Sequence, residues 1–145
     1  MSMFLYPNRA KQLIDFTSLC WGKVHPTDID GVMEFGGKKL VLMELKTKGK
    51  EADKGQKIAL EHLADNWKST AQGRDAIVIY AEHTQYDTDK PVDMGMAIVK
   101  EVYHDKKYYT HYQEVNRTVR SVIWAFAHEE IQARMGDEEC SQLKP

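Results

Sequence analysis

The sequence predicts an α/β fold in which helices flank a central mixed sheet of about four or five strands. Three observations carry that reading. Residues 76–81 form a short continuous apolar run, the pattern of a strand buried on both faces. Apolar residues near helical period over 55–68 precede it, and a strand-like run precedes those, so strand, helix and strand follow one another as in a crossover connection. Two further apolar runs flank Gly36-Gly37-Lys38, a hairpin signal.

Taken in order, Asn8 caps a helix over residues 9–19, with Ala10, Leu13, Ile14 and either Phe16 or Thr17 on its inner stripe. A strand-like region covers 24–35, the Gly36-Gly37 turn reverses the chain, and a second strand covers 40–47. Residues 48–55 read as a charged loop. The helix over 55–68 offers Ile58, Leu60, Leu63, Ala64 and Trp67 as its apolar positions, and Gly73 breaks the chain before the buried strand. Residues 96–103 and 108–113 form a second hairpin around His104-Asp105-Lys106-Lys107. A closing helix spans 118–135 and buries Val119, Val122, Ile123, Phe126 and Ile131. Residues 1–135 thus make one domain, and 136–145 a polar tail expected to be mobile.

At 145 residues the chain can bury about two thirds of its unfolded surface, enough for an ordinary core. A hydrophobic fraction of 42% and a charged fraction of 29% suit a soluble globular protein, and no apolar run approaches a membrane span. The N-terminus lacks the basic start and long apolar core of a signal peptide. Cys20 and Cys140 show no metal-ligand spacing, so a reduced, cytoplasmic protein is expected. Zinc chemistry is disfavoured as well: the histidines keep no spacing with cysteine, and His128-Glu129-Glu130 is followed by Gln132 where the zinc motif needs histidine. Ser18, Ser69 and Ser121 lack the G-x-S-x-G setting of a hydrolase nucleophile.

Chemistry concentrates at the open end of the first hairpin. With a three-residue loop, Phe35 faces Lys39, and counting outward sets Asp30 opposite Glu44 and Asp28 opposite Lys46, all four on one face. Leu40 and Leu42 share that face, while Val41, Met43 and Leu45 occupy the other, so the strand is covered on both sides. Like charges directly opposite across a sheet repel, so Asp30 and Glu44 call for a cation. Carboxylate oxygen suits magnesium, manganese or calcium. Lys46 would hold a positive charge beside that metal, where it can orient water or neutralise charge developing on a phosphate.

At these residues the chain resembles the PD-(D/E)XK nuclease superfamily. The ordered set is Pro26 to Gly31, a hairpin, Glu44-Leu45-Lys46, then Gly55-Gln56 opening a helix. The run from Ile14 through Trp21-Gly22-Lys23 to Gly31 is similar to small stand-alone members from phages and bacteria. The resemblance implies the restriction-endonuclease-like three-layer fold and a DNA nuclease dependent on Mg²⁺, with Mn²⁺ as a substitute. It makes Asp30 the metal-binding aspartate, with Asp28 as the alternate or an outer ligand, and Glu44 and Lys46 the (D/E)XK pair. The backbone carbonyl of Leu45 would be a further metal ligand, and Gln56 would position water or phosphate. Asp15 stands in the first helix, where the family often carries glutamate, as an outer acid. Pairing with a second copy is also implied, because resolvases and many restriction enzymes cut two strands with paired sites.

A net charge of −2 does not advertise a nucleic-acid binder. Lys48, Lys50, Lys54 and Lys57 nevertheless crowd the segment after Lys46, where they can meet phosphates that the overall charge would repel. His83 and Glu82 end the buried strand and approach the site if that strand runs parallel to 40–47. Trp21, Trp67 and Trp124 read as core or interface aromatics, although an exposed Trp21 beside Lys23 could stack on a base. Tyr103, Tyr108, Tyr109 and Tyr112 read as lining a hairpin surface. The alternative function is a non-catalytic nucleic-acid-binding or inhibitory module on the same scaffold.

Overall fold

Gly36 and Gly37 turn the chain at φ values of 58° and 74°, a conformation that costs glycine little. The Lys38 N–H closes the turn on the Phe35 carbonyl at 3.0 Å. The resulting hairpin pairs β1 (Gly31–Phe35) antiparallel with β2 (Lys39–Thr47), Phe35 opposite Lys39 and Gly31 opposite Met43, in the register the loop length implies. The structure is a computed structural model that describes residues 17–135. The expected first helix, Asp15 and the tail therefore lie outside the described residues, apart from a 3₁₀ turn at Thr17–Leu19.

β1 is shorter than the strand expected over 24–35. Pro26 has no N–H to give a ladder, and Trp21 and Val24 instead bridge to each other. From β2 the chain crosses through α1 (Lys54–Ser69), capped by Asp53, whose carboxylate accepts the Gly55 and Gln56 N–H groups. It returns as β3 (Asp75–His83), parallel to β2. The antiparallel strands β4 (Ile98–His104) and β5 (Lys107–Tyr109) complete a five-stranded mixed sheet in the order β1-β2-β3-β4-β5. Asp105 and Lys106 make the tight turn between them, both at positive φ. β5 stops at Tyr109, and residues expected to extend it form a helical turn, α2 (His111–Glu114). The last helix, α3 (Val119–Gln132), starts at Thr118, whose hydroxyl accepts the Ser121 N–H.

The fold is thus α/β with three layers. Val41, Met43, Ile77, Ile79, Val99 and Val102 form one face of the sheet and pack under Val119, Val122, Ile123 and Ala127 of α3, with Phe126 and Ile131 partly buried beside them. Leu40, Leu42, Val78 and Tyr80 form the other and pack under Leu60 and Ala64 of α1. The alternation along β2 is the one read from its sequence. α1 departs from expectation, because Ile58 and Leu63 are exposed while Gln56 and Glu61 are buried with Leu60 and Ala64. Polar partners on the sheet decide that rotation: Gln56 meets Glu44, and Glu61 meets Tyr80. Tyr103 also lies inside rather than on the hairpin surface, its hydroxyl donating to Asp65 at 2.8 Å. Among the described residues no helix is long and apolar enough to cross a membrane.

Candidate functional site

Glu44 is the buried charge of β2, with a relative exposure of 1%, so both of its oxygens must be satisfied by protein. They are. Oε1 lies 2.6 Å from Lys46 Nζ, and Oε2 accepts a hydrogen bond of 2.8 Å from Gln56 Nε2. The same Gln56 amide nitrogen donates to the Asp28 carbonyl at 3.2 Å. One residue further, Asp30 Oδ2 accepts the Leu45 N–H at 2.7 Å. Three segments are pinned together by these bonds: the entry to β1, the exposed-charge end of β2 and the first turn of α1.

The electrostatics follow from that packing. Burial raises the Glu44 pKa, Lys46 pulls it down without cancelling the rise, and Asp30 pushes it up further. The Lys46 ammonium is held above its ordinary pKa first by its hydrogen bond to Glu44, against its own desolvation, and also by the charges of Glu44, Asp30 and Asp28. Asp28 and Asp30 lie beyond the β1–β2 ladder, which ends at Gly31, so no strand pairing sets them opposite Lys46 and Glu44, but both act on Lys46 through their charge and Asp30 acts on Glu44 as well. Asp30 uses part of its carboxylate on Leu45, but a carboxylate has about four lone-pair sites and can bind again. Asp30, Glu44 and the Leu45 carbonyl are all oxygen donors, and Glu44 among them resists ionisation because it is buried and lies beside Asp30, which Lys46 only partly offsets. Oxygen donors are the type that Mg²⁺ and Mn²⁺ prefer.

A cleft of about 160 Å³ opens beside Glu44 and Lys46, and Lys50, Lys57, Lys100 and Glu101 also line it. Of the lysines expected to meet phosphate, Lys48 and Lys54 are exposed outside this cleft and Lys50 lines it. Lys57 has other work: it pairs with Glu101 and lies over the rings of Tyr80 and Tyr108 at 4.7 and 4.9 Å. Those tyrosines in turn donate to the buried Glu61, and the Tyr108 phenol is pushed up to about 12 by burial and by that acid.

Lys100 and Glu101 were not legible as site residues. Tyr80 pairs with Glu101 but Ala81 pairs with Val99, so β4 carries one additional residue at Lys100. Such a bulge re-aims side chains, and here two consecutive residues line the same cleft instead of alternating between faces. Lys100 approaches Glu51 at 3.4 Å. His83 does lie at the same end of the sheet, opposite Thr47, but its ring Nδ1 accepts the Gln85 N–H in a local turn.

A second cluster of potential ligands lies at the other end of β3, where Asp75, His104 and Asp105 converge. Lys68 already sits among them, 3.1 Å from Asp75 and paired with Asp105. No family model, curated protein or solved structure matches this chain.

Proposed function

We propose that this chain is a divalent-metal-dependent nuclease that hydrolyses phosphodiester bonds in DNA, acting in the cytoplasm in DNA processing, recombination or repair. The observation that carries the reading is Glu44, a buried carboxylate held between Lys46 and Gln56 at the point where Asp30 reaches Leu45. The resemblance of Pro26 to Gly31, Glu44-Leu45-Lys46 and Gln56 to the PD-(D/E)XK set supports it, and with it a restriction-endonuclease-like assignment of the fold.

Asp30, Glu44 and the Leu45 carbonyl would hold Mg²⁺, or Mn²⁺ in its place. When bound, the ion supplies a lowered pKa for the attacking water and positive charge opposite the phosphate. Gln56 fixes the second oxygen of Glu44, so the carboxylate is oriented before any substrate arrives. The Lys46 ammonium stays protonated well above neutral pH, at the rim of the cleft, where it can donate to a water or to a phosphate oxygen as charge develops. Lys50 meets the adjacent phosphate. A second copy of the chain would supply the other cut in a duplex.

The test is incubation of purified protein with linear, circular, single-stranded and branched DNA, with Mg²⁺ or Mn²⁺. Product size and end dependence then separate internal from terminal cutting. Absence of cleavage on every substrate would overturn the proposal. One observation favours the non-catalytic alternative: the Lys46 ammonium already occupies Glu44 Oε1. Calorimetric titration with Mn²⁺ separates the two, since a non-catalytic module should give no heat at this site.

A further inference from the structure

Trp21 is 68% exposed, although a tryptophan side chain is the largest apolar surface a residue can withdraw from water. It is not on a loose strand. The Trp21 N–H donates to the Val24 carbonyl at 2.9 Å and the Val24 N–H returns to the Trp21 carbonyl at 3.0 Å, closing a four-residue turn with Gly22 at φ 63°. The turn therefore presents the indole outward on a defined frame. Lys23 forms the turn's tip, and no acidic residue occurs in the sequence between Thr17 and Thr27.

The turn is tethered to the candidate site. Val24 is four positions from Asp28, whose carbonyl is held by Gln56, so the end of the turn lies within about 14 Å of that anchor along an extended chain. At a rise of about 3.4 Å per nucleotide in one strand, that is the length of roughly four stacked nucleotides. Resting on the nuclease reading, we propose that Trp21 stacks on a nucleobase a few nucleotides from the scissile phosphate. The preferred substrate is then DNA with unpaired, accessible bases: a single strand, a frayed end or a branch.

An interface with a second protein is the competing use of this patch. Among the described residues Leu19, Trp21 and Val24 are the exposed large apolar side chains of this turn, and three side chains fall well short of the ~800 Å² per partner that a stable protein interface buries. One indole face, by contrast, is all that a base requires.

The experiment uses the full chain with Ca²⁺ in place of Mg²⁺, and two end-labelled oligonucleotides of equal length: a single strand and its abasic counterpart, alike in phosphates but lacking bases. Wild type should bind the base-bearing strand about tenfold more tightly, as expected for one stacked base. Trp21→Ala should bind both strands as wild type binds the abasic one, and Trp21→Phe should keep most of the difference. In a Trp67→Phe/Trp124→Phe background, Trp21 fluorescence should be quenched by the base-bearing strand alone. Equal wild-type affinity for the two strands overturns the proposal. So does a Trp21→Ala defect that is the same for both, or a concentration-dependent dimer in sedimentation that Trp21→Ala abolishes. Cleavage with Mg²⁺ is a separate arm: base-dependent binding without cleavage overturns the nuclease reading and leaves Trp21 as a base-stacking residue, whereas cleavage without base discrimination overturns Trp21 alone.

Discussion

Asp30 and Leu45 lie fifteen positions apart in sequence, and the Asp30 carboxylate accepts the Leu45 N–H at 2.7 Å. The ladder between β1 and β2 ends at Gly31, so this side chain takes over a hydrogen bond that the backbone of β1 no longer makes. Asp28 differs: it contributes its carbonyl, which any residue would supply. We expect Asp30→Asn to keep the bond to Leu45 and its melting temperature while losing at least about 100-fold in metal-dependent cleavage, more than the ~10–100-fold that outer partners of a metal cost. Asp28→Asn should lose less than about tenfold. The reverse order in a cleavage assay would transfer the metal to Asp28.

Glu44→Gln tests the buried acid. Lys46 keeps an oxygen to meet and the Gln56 amide can turn its own oxygen toward the new NH2, so the fold should survive while Mn²⁺ binding and cleavage are lost. The sign of the stability effect follows from the raised pKa. Protonated Glu44 is favoured in the folded state, so its contribution is fully present below the usual 4.5 and is lost as pH rises through the higher native value. Metal-free Glu44→Gln should therefore be at least as stable as wild type at pH 7. Mn²⁺ at a hundred times its dissociation constant should stabilise wild type by about 2.7 kcal/mol and leave the variant unmoved. Thermal melts with and without Mn²⁺ check both statements.

Much of this site can be read along the chain because strand periodicity is rigid. Once Gly36-Gly37-Lys38 sets the turn, the facing of Leu40, Leu42, Glu44 and Lys46 follows, and β2 and β3 alternate as their patterns imply. What escaped is governed by contacts between elements. The rotation of α1 answers to Glu44 and Tyr80, residues on other segments, so Ile58 and Leu63 were misplaced by a rule that sees only apolar period. Lys100 and Glu101 enter the cleft through a bulge in β4, a backbone irregularity without a local sequence signal. Lys57 illustrates the same limit, since its partner Glu101 is 44 residues away.

Lys46→Ala should separate chemistry from metal binding. The ammonium and a metal compete for the same carboxylate, so removing Lys46 should leave Mn²⁺ affinity unchanged or tighter while most cleavage disappears. Without metal the buried Glu44 loses its counter-charge. The cost should be about 1–3 kcal/mol, at the lower end because Lys46 is itself 34% exposed and water shares the work. Denaturant melts and calorimetry on the same preparation give both numbers, and a variant that cleaves at the wild-type rate removes Lys46 from the reaction.

The cluster at the far end of β3 governs acid stability. Burial pushes the Asp75 carboxyl up, but the hydrogen bonds and charges of His104 and Lys68 pull harder, and its pKa ends below the usual 3.8. Its contribution is therefore present above that value and is lost as pH falls through the lower native one. Asp75→Asn should cost about 1.5–3 kcal/mol at pH 7, the scale of a hydrogen bond to a charged group. That difference should shrink below pH 4 in parallel denaturant titrations. A constant deficit across the acid range would assign Asp75 a packing role instead.

Lys48 and Lys50 follow the site on an exposed loop, and Lys50 reaches the cleft while Lys48 stays outside it. Neither has the geometry to touch Glu44 as Lys46 does, so their effect on cleavage must pass through substrate binding. Each phosphate contact releases condensed counterions, which makes log affinity fall with log salt by about 0.9 per contact on duplex and 0.7 on a single strand. The double variant Lys48→Ala/Lys50→Ala should accordingly weaken DNA binding at low salt and flatten the slope by about 1.4–1.8, while turnover at saturating DNA stays within about twofold. Lys100→Ala should flatten it by less, because Lys100 is shared with Glu51. An unchanged slope in the double variant would make the lysine loop an ordinary solvated segment and leave Lys46 and Lys100 as the cations that face the phosphate.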